Sequence, residues 1–358
     1  MTLTLGSLLQ RLDRVGEGER YAFFMPRTYG PCRFGVYHLL HGIVAERLGH
    51  RGTVRILSPA DANYFEGMPP GFAALIFAGF LAGDLLLDGL YDVRPVETRP
   101  GAARAIYDRY RRELLGLLED VRPEALTPAR TLVEVATGRL FGIRNLLAAA
   151  ARDYREVKGP EEKPTVLVVG EIYVRLDPFA NDFVVDRLED RGLKCRFAPF
   201  GEWLEYTSHV HLRDDPGQTL GAHVSAAVQG AMRAVAYRAM AEPLAWPERT
   251  SVRQTLAAAE PYLTTQLRGE AVLTLGAPVH EWREGLIDGA VALGPLECMP
   301  AKLAEAQLFH AGEREGLPSL SLSLNGEPVP AATLDHFAFE VKRGWEKRRG
   351  GRRGAFAS

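Results

Sequence analysis

The chain has 358 residues, of which 46% are hydrophobic and 25% charged, and its formal net charge at pH 7 is -2. This composition is typical of a globular protein with a sizeable core, and the length predicts two domains. The near-neutral charge gives no reason to expect nucleic acid or an anionic membrane as a partner. Three cysteines do not make a secreted disulfide framework, and the charged N-terminus does not match a secretory signal, so we expect a cytoplasmic location.

The first 157 residues predict an α/β domain with a helical extension. YAFFMP (21–26) is strand-like, GVYHLLHGIVAERLG (35–49) has helical spacing, and GTVRILSPA (52–60) alternates like a strand. A strand–helix–strand unit of this kind implies a parallel sheet. The apolar stretch at 71–93 contains Asp84 and Asp88, which favours a buried helix over a membrane span.

The charged, proline-bounded segment KGPEEKP (158–164) predicts the domain boundary. A second α/β domain follows over residues 164–342, beginning with the buried strand of TVLVVGEIYV (165–174) and a second strand in KCRFAPF (194–200). Helical and strand-like segments then alternate. The basic residues 343–358 predict a flexible, solvated tail.

Two cysteines lie on turns between a strand-like run and a helix. Cys32 is in GPCRFG, and Cys298 is in GPLECMP. Ligands of parallel sheets bind at such turns, and helix N-termini favour a thiolate. Each cysteine alone is equally well interpreted as a small buried side chain, but the pair favours a shared metal or redox site. Cys195 lies inside KCRFAPF, which favours a packing role.

A polar turn follows the first strand of the second domain. In GEIYVRLDPFAND, the side chains of Glu171, Arg175, Asp177 and Asn181 either line a cleft, with Arg175 pairing with Asp177 or Glu171, or form a capped helix with a salt bridge. The sequence lacks a G-x-S-x-G elbow, a P-loop lysine motif and H-E-x-x-H. No complete hydrolase, kinase or zinc site is therefore predicted, and no catalytic residue is assigned.

Four collinear motifs, GPCRFGVY, GEIYVRLDPFANDFVVDRLEDRG, APFGEWLEY and GPLECMP, carry a resemblance to a known family. The chain resembles the 2-hydroxyacyl-CoA dehydratase superfamily, in particular the cluster-binding module of its activase-related (DUF2229-like) proteins. The similarity extends over nearly the whole chain. It implies two flavodoxin-like (Rossmann-like) domains that hold a [4Fe–4S] cluster, with Cys32 and Cys298 at the positions of family ligands and the 170–182 turn beside them.

The resemblance also implies partners and shows one departure. The family passes low-potential electrons with a separate ATP-hydrolysing activator, so a subunit of a dehydratase or reductase is implied. A further family cysteine belongs before the TLG match, where this sequence begins MTLTLG. Because a cluster is usually held by three or four thiolates, we expect either a partner subunit that supplies a cysteine, in a homo- or hetero-oligomer, or a non-cysteine ligand or open iron position, or a degenerate site. The alternatives are a non-catalytic scaffold subunit with vestigial cysteines and a metal-free dithiol formed by Cys32 and Cys298.

Overall fold

The computed structural model describes residues 2–28, 30–60, 70–214 and 220–355. The chain divides into two compact units. Unit 1 comprises Met1–Met68 with Gln266–Gly269, and unit 2 comprises Pro69–Thr265 with Glu270–Ser358. Each unit contains helices and a sheet of parallel strands, so the predicted α/β class is confirmed.

Unit 1 contains the predicted strand–helix–strand motif. The two strands pair in parallel, with Phe23 opposite Ile56. These two side chains pack against a small core in which Leu8, Leu12 and Ala45 are only 2–3% exposed. Helices on one face of the strands therefore provide the core of this unit. Its elements are α1 (Thr2–Leu12), β1 (Tyr21–Phe24), a 3₁₀ turn (Arg33–Val36), α2 (Tyr37–Arg47) and β2 (Val54–Leu57).

Unit 2 contains a four-stranded parallel sheet that is surrounded by helices. Its first elements are α3 (Pro70–Val93), α4 (Ala102–Asp120), α5 (Pro128–Ala136), α6 (Ile143–Val157), β3 (Thr165–Gly170), α7 (Ile172–Leu176), α8 (Val184–Glu189), β4 (Lys194–Phe197) and α9 (Phe200–Asp214). There follow α10 (Leu220–Leu244), α11 (Val252–Ala259), α12 (Ala271–Arg283), β5 (Gly289–Pro295), α13 (Met299–Glu315), β6 (Ser319–Leu324) and α14 (Ala331–Ala355).

The strand order of this sheet is β4-β3-β5-β6, with every neighbouring pair parallel. The inner strands β3 and β5 are continuous apolar runs, as expected of strands that are covered on both faces. Val166, Val168 and Val291 are 0% exposed. The apolar runs that predicted these strands thus form the centre of the sheet.

Helix α3 is the long apolar helix expected from the sequence. It packs against α4, α6, α10 and β4, and its Ala78, Ala82 and Val93 are 0% exposed. Among the described residues, one segment, Gly71–Val96, is long and apolar enough to cross a membrane, and half of its most apolar window is buried inside the protein. A core helix of a globular protein has the same length and composition.

The helices between residues 70 and 157 belong to unit 2, whereas the sequence assigned them to the N-terminal domain. The reason is their packing on the C-terminal sheet. Arg94 pairs with Asp186 and Glu189 of α8 at 2.7 Å. Lys158, inside the predicted boundary segment, pairs with Asp92 of α3 at 2.6 Å. Segment 158–164 is therefore a connection within one unit.

The predicted flexible tail begins as a helix. Helix α14 extends past residue 343, and Arg348 forms an ion pair with Asp288. The Arg348 guanidinium also lies 4.4 Å from the ring centroid of Trp282, and Arg349 pairs with Glu162 at 2.7 Å. Basic side chains that looked solvated in the sequence thus attach this helix to its own unit.

Candidate functional site

The carboxyl ends of β3 and β5 lie side by side in unit 2. From β3 the chain passes to β4, which lies on one side of β3. It then passes to β5 and β6, which lie on the other side of β3. In open parallel sheets, ligands bind outside the carboxyl ends of the strands where the order reverses in this way. Gly170 at the end of β3 is paired with Leu293 of β5, and the Glu171 amide donates to the Leu293 carbonyl at 2.8 Å.

Cys298 lies at this edge of the sheet, as predicted. Three residues after the end of β5 it forms the N-cap of α13, and its amide donates to the Pro295 carbonyl at 3.0 Å. The preceding Glu297 has a φ of +60°, which turns the chain sharply into the helix. The Cys298 side chain is half-buried and makes no capping hydrogen bond to the helix. Its thiol therefore lies beside the positive end of a helix of 17 residues.

The polar turn after β3 uses most of its hydrogen-bonding groups within itself. Glu171 caps α7 by accepting from the amides of Tyr173 and Val174, and Asp177 accepts from the Ala180 amide at 2.7 Å. Asn181 is 2% exposed and donates to the Val174 and Arg175 carbonyls. The capped-helix interpretation accounts for these three side chains. Their predicted role in cofactor binding stays a prediction.

Arg175 is buried at 5% exposure and pairs differently from the sequence prediction. Its guanidinium donates to the Gly170 carbonyl at 3.0 Å and lies 4.0 Å from Glu270, the residue before α12. The expected partners Asp177 and Glu171 are instead engaged with backbone amides. Arg175 thus links the end of β3 to a helix that lies about 100 residues further along the chain in sequence, a pairing that no local pattern indicates.

Cys32 and Cys195 also lie in the predicted local settings. Cys32 follows β1 of unit 1 and is the N-cap of the 3₁₀ turn that leads into α2. Its side chain is half-buried. The nearby Gly30 has a φ of +107°, and a Cβ atom there would lie 2.5 Å from the Arg268 carbonyl oxygen. Cys195 is 0% exposed within β4, so its packing role is confirmed. Cys32 and Cys298 belong to different units, and their sharing of one site stays a prediction.

A charged cavity in unit 2 was not predicted from the sequence. Its volume is about 150 Å³, and it is bounded by α3, β4, α10 and the segment after α10. Asp84, Asp88 and Asp92 of α3 line it at four-residue spacing, which places them on one face of the helix. The carboxylates within an apolar helix were the available signal, but the cations come from distant segments: Lys194, Arg196, Arg233 and Arg249.

Most of these charges are compensated. Asp92 accepts from Lys158, Lys194 and the Trp246 indole at 2.6–2.9 Å. Although burial raises the pKa of Asp92, the two lysines lower it below its usual value. Asp84 accepts from the Phe200 and Gly201 amides at the N-terminus of α9, at 3.0 and 2.7 Å. Its burial nevertheless raises its pKa.

Three further carboxyl groups between the large cavity and the end of β3 have pKa values near neutral pH. Burial and the neighbouring Asp84 raise the pKa of Asp88 to about 7. Burial likewise raises the pKa of Glu202 to about 7 and that of Glu270 to about 8, against the lowering effect of nearby arginines. Glu202 also lines a second, much smaller cavity of about 10 Å³ together with Arg175 and Glu270. A series of protonatable groups therefore extends from the large cavity towards the end of β3.

Comparisons with protein-family models, with curated proteins and with solved structures found no match to the chain. Within the described residues, no group of three or more His, Cys, Asp and Glu side chains is arranged to hold a metal ion.

Proposed function

We propose that this chain is an iron–sulfur protein of the 2-hydroxyacyl-CoA dehydratase superfamily, related to its activase-associated cluster module. In this proposal Cys32 and Cys298 are thiolate ligands of a [4Fe–4S]-type cluster that serves ATP-driven, low-potential electron transfer with a separate activator ATPase. The observation that carries the proposal is the position of Cys298 where the strand order reverses, on the N-terminus of α13.

The strand order of unit 2 supports the same family. If its strands are counted from β3, the order is 2-1-3-4, which is the beginning of the flavodoxin-like order. A flavodoxin-like fold for unit 2 is therefore part of the proposal. The single strand–helix–strand motif described in unit 1 is a smaller piece of the same kind of architecture.

The side chains present fit a cluster in part. Thiolates are the usual ligands of iron–sulfur clusters, and both half-buried cysteines precede helices. Cys195 is enclosed in β4. A third ligand from a partner chain is thus included in the proposal, since three or four are usual. A bound cluster would supply one-electron transfer. Around it, Glu171 and Arg175 would hold the neighbouring turn in one conformation through the hydrogen bonds described above.

Iron and sulfide analysis after anaerobic purification and reconstitution tests this function. We expect a brown protein with absorbance near about 400 nm and about four irons per cluster. Cys32→Ser and Cys298→Ser should each lower iron content severalfold, whereas the matched Cys195→Ala variant should retain it. Co-expression with candidate partner chains should raise occupancy, because a ligand of the folded state stabilises it.

Other outcomes would contradict the proposal in distinguishable ways. A colourless protein after reconstitution, with and without partner chains, would favour the scaffold alternative. Reversible disulfide formation between Cys32 and Cys298 in protein without iron would favour the dithiol alternative. Equal iron loss in all three variants would mean that iron is bound adventitiously.

A further inference from the structure

The charged cavity of unit 2 contains two groups of opposite sign that have no directly contacting partner among the described residues. Within the described part of the chain, Asp88 and Arg249 make no hydrogen bond or ion pair. Both are half-buried and line the cavity, and the positive charges of Arg196 and Arg249 both act on the Asp88 carboxyl group. A charged group without a directly contacting partner is costly in such a place, so each of these two groups would gain from binding a ligand group of opposite charge.

The other charges around the cavity already have partners. Asp84 accepts from two backbone amides, Glu202 accepts from the Thr255 hydroxyl, and Asp92 is held by two lysines. Arg196 pairs with Glu281, and Arg233 pairs with Glu205 at 2.6 Å. A ligand that enters the cavity therefore has one anionic and one cationic group to bind. The remaining wall includes the apolar side chains of Leu81 and Leu85.

The cavity size limits the ligand. A cavity of about 150 Å³ holds a molecule of about six non-hydrogen atoms, as benzene-binding cavities of that size demonstrate. Small α-amino acids have this size. They carry an ammonium and a carboxylate group at the two ends of a short backbone, and therefore match the opposite charges of Asp88 and Arg249.

We propose that the cavity of unit 2 binds a small zwitterionic α-amino acid of the size of glycine, alanine or serine. Its ammonium group is held by Asp88 and its carboxylate by Arg249, a residue type that binds carboxylates through two parallel hydrogen bonds. The leucine side chains contact the ligand side chain. This site involves neither Cys32 nor Cys298, so it is independent of the proposed cluster.

Isothermal titration of the full chain with glycine, L-alanine and L-serine tests the proposal. Propionate and ethylammonium serve as probes that each carry one of the two charges. We expect saturable binding of at least one amino acid, at least about tenfold tighter than either single-charge probe, which corresponds to about 1.4 kcal/mol.

Variants distinguish this site from weak surface binding. Asp88→Asn should weaken amino-acid binding by about tenfold or more without weakening propionate binding, whereas Arg249→Gln should weaken both. Arg253→Gln, at an exposed position on α11, is the matched control and should have no effect. Arg249→Lys keeps the positive charge and provides an intermediate case if the glutamine variant does not fold.

Three results would overturn the proposal. One is the absence of saturable binding of all three amino acids at millimolar concentration, which would mean that the cavity holds water only. The second is propionate binding as tightly as L-alanine, because the ammonium site would then be unused. The third is binding that persists unchanged in both Asp88→Asn and Arg249→Gln. Iron content in the wild-type protein is measured in parallel, so failure here and failure of the cluster proposal are recorded separately.

Discussion

Replacing Glu202 by glutamine tests whether burial beside the cavity raises the pKa of this carboxyl group as the structure indicates. Glu202 is 7% exposed, and its carboxyl group accepts a hydrogen bond from the Thr255 hydroxyl at 3.1 Å. Burial raises its pKa from 4.5 to about 7. Glutamine has nearly the same shape and retains an oxygen that accepts from Thr255, so the substitution removes mainly the ability to ionise.

The magnitude follows from the linkage between proton binding and folding. Because the pKa is raised on folding, the folded state binds more protons than the unfolded state between the two values, and stability falls as pH rises through that range. A shift from 4.5 to about 7 is about 2.5 units, equivalent to about 3.4 kcal/mol at about 1.36 kcal/mol per unit. About 2.5 kcal/mol of this loss falls between about pH 5 and about pH 8.5.

We therefore expect the Glu202→Gln variant to gain stability relative to wild type as pH rises. Its free energy of unfolding minus that of wild type should increase by up to about 2.5 kcal/mol between about pH 5 and about pH 8.5. Urea unfolding followed by tryptophan fluorescence measures this, since Trp203, Trp246, Trp282 and Trp345 all lie in unit 2. Glu248→Gln, at an exposed position near the cavity, is the matched control and should show no trend. A difference independent of pH for Glu202→Gln would refute the reasoning, because the carboxyl group would then have an ordinary pKa in the folded protein.

Two further predictions concern the turn after β3. Gly170→Ala should destabilise the protein by about 4 kcal/mol or more, because φ is +109° and a Cβ atom would lie 2.0 Å from the Leu293 carbonyl oxygen. Thermal unfolding measures the loss of stability. Gly230→Ala is the control, because the new Cβ there would meet nothing within 4 Å. Equal losses of stability in the two variants would contradict the geometry of the turn. Arg175→Ala should lower stability by about 1–3 kcal/mol through the lost hydrogen bond to the buried Gly170 carbonyl. The loss should be larger above about pH 8, because without the Arg175 charge the buried Glu270 ionises less readily in the folded protein. Urea unfolding at about pH 7 and about pH 9.5 separates these two effects, and a loss of the same size at both would show that Arg175 does not act on Glu270.

The sequence determined the local elements of the chain and the places where they end. Apolar runs such as TVLVVG specify buried parallel strands, because only strands covered on both faces have no polar alternation. The glycine and proline residues around Cys32 and Cys298 specify turns into helices, and both cysteines are found as N-caps. These features depend on a few neighbouring residues, so periodicity and turn chemistry are sufficient to predict them.

The tertiary structure alone decided which elements pack together. Helices α3 to α6 follow the N-terminal strands in sequence, but they belong to unit 2, where they pack against one another and against β4 and α10. An apolar helix face indicates that a partner exists without specifying which one, because burial of apolar surface is not directional.

The same limit applies to the cavity. The spacing of Asp84 and Asp88 places them on one face of α3, but Arg249 reaches the same cavity from more than 150 positions away in the sequence. Likewise, the ion-pair partner of Arg175 is Glu270, and not Asp177 or Glu171, which are close to it in the sequence. Charges at such separations meet only when the packing of whole helices brings them together, and their pKa values depend on the burial that this packing produces.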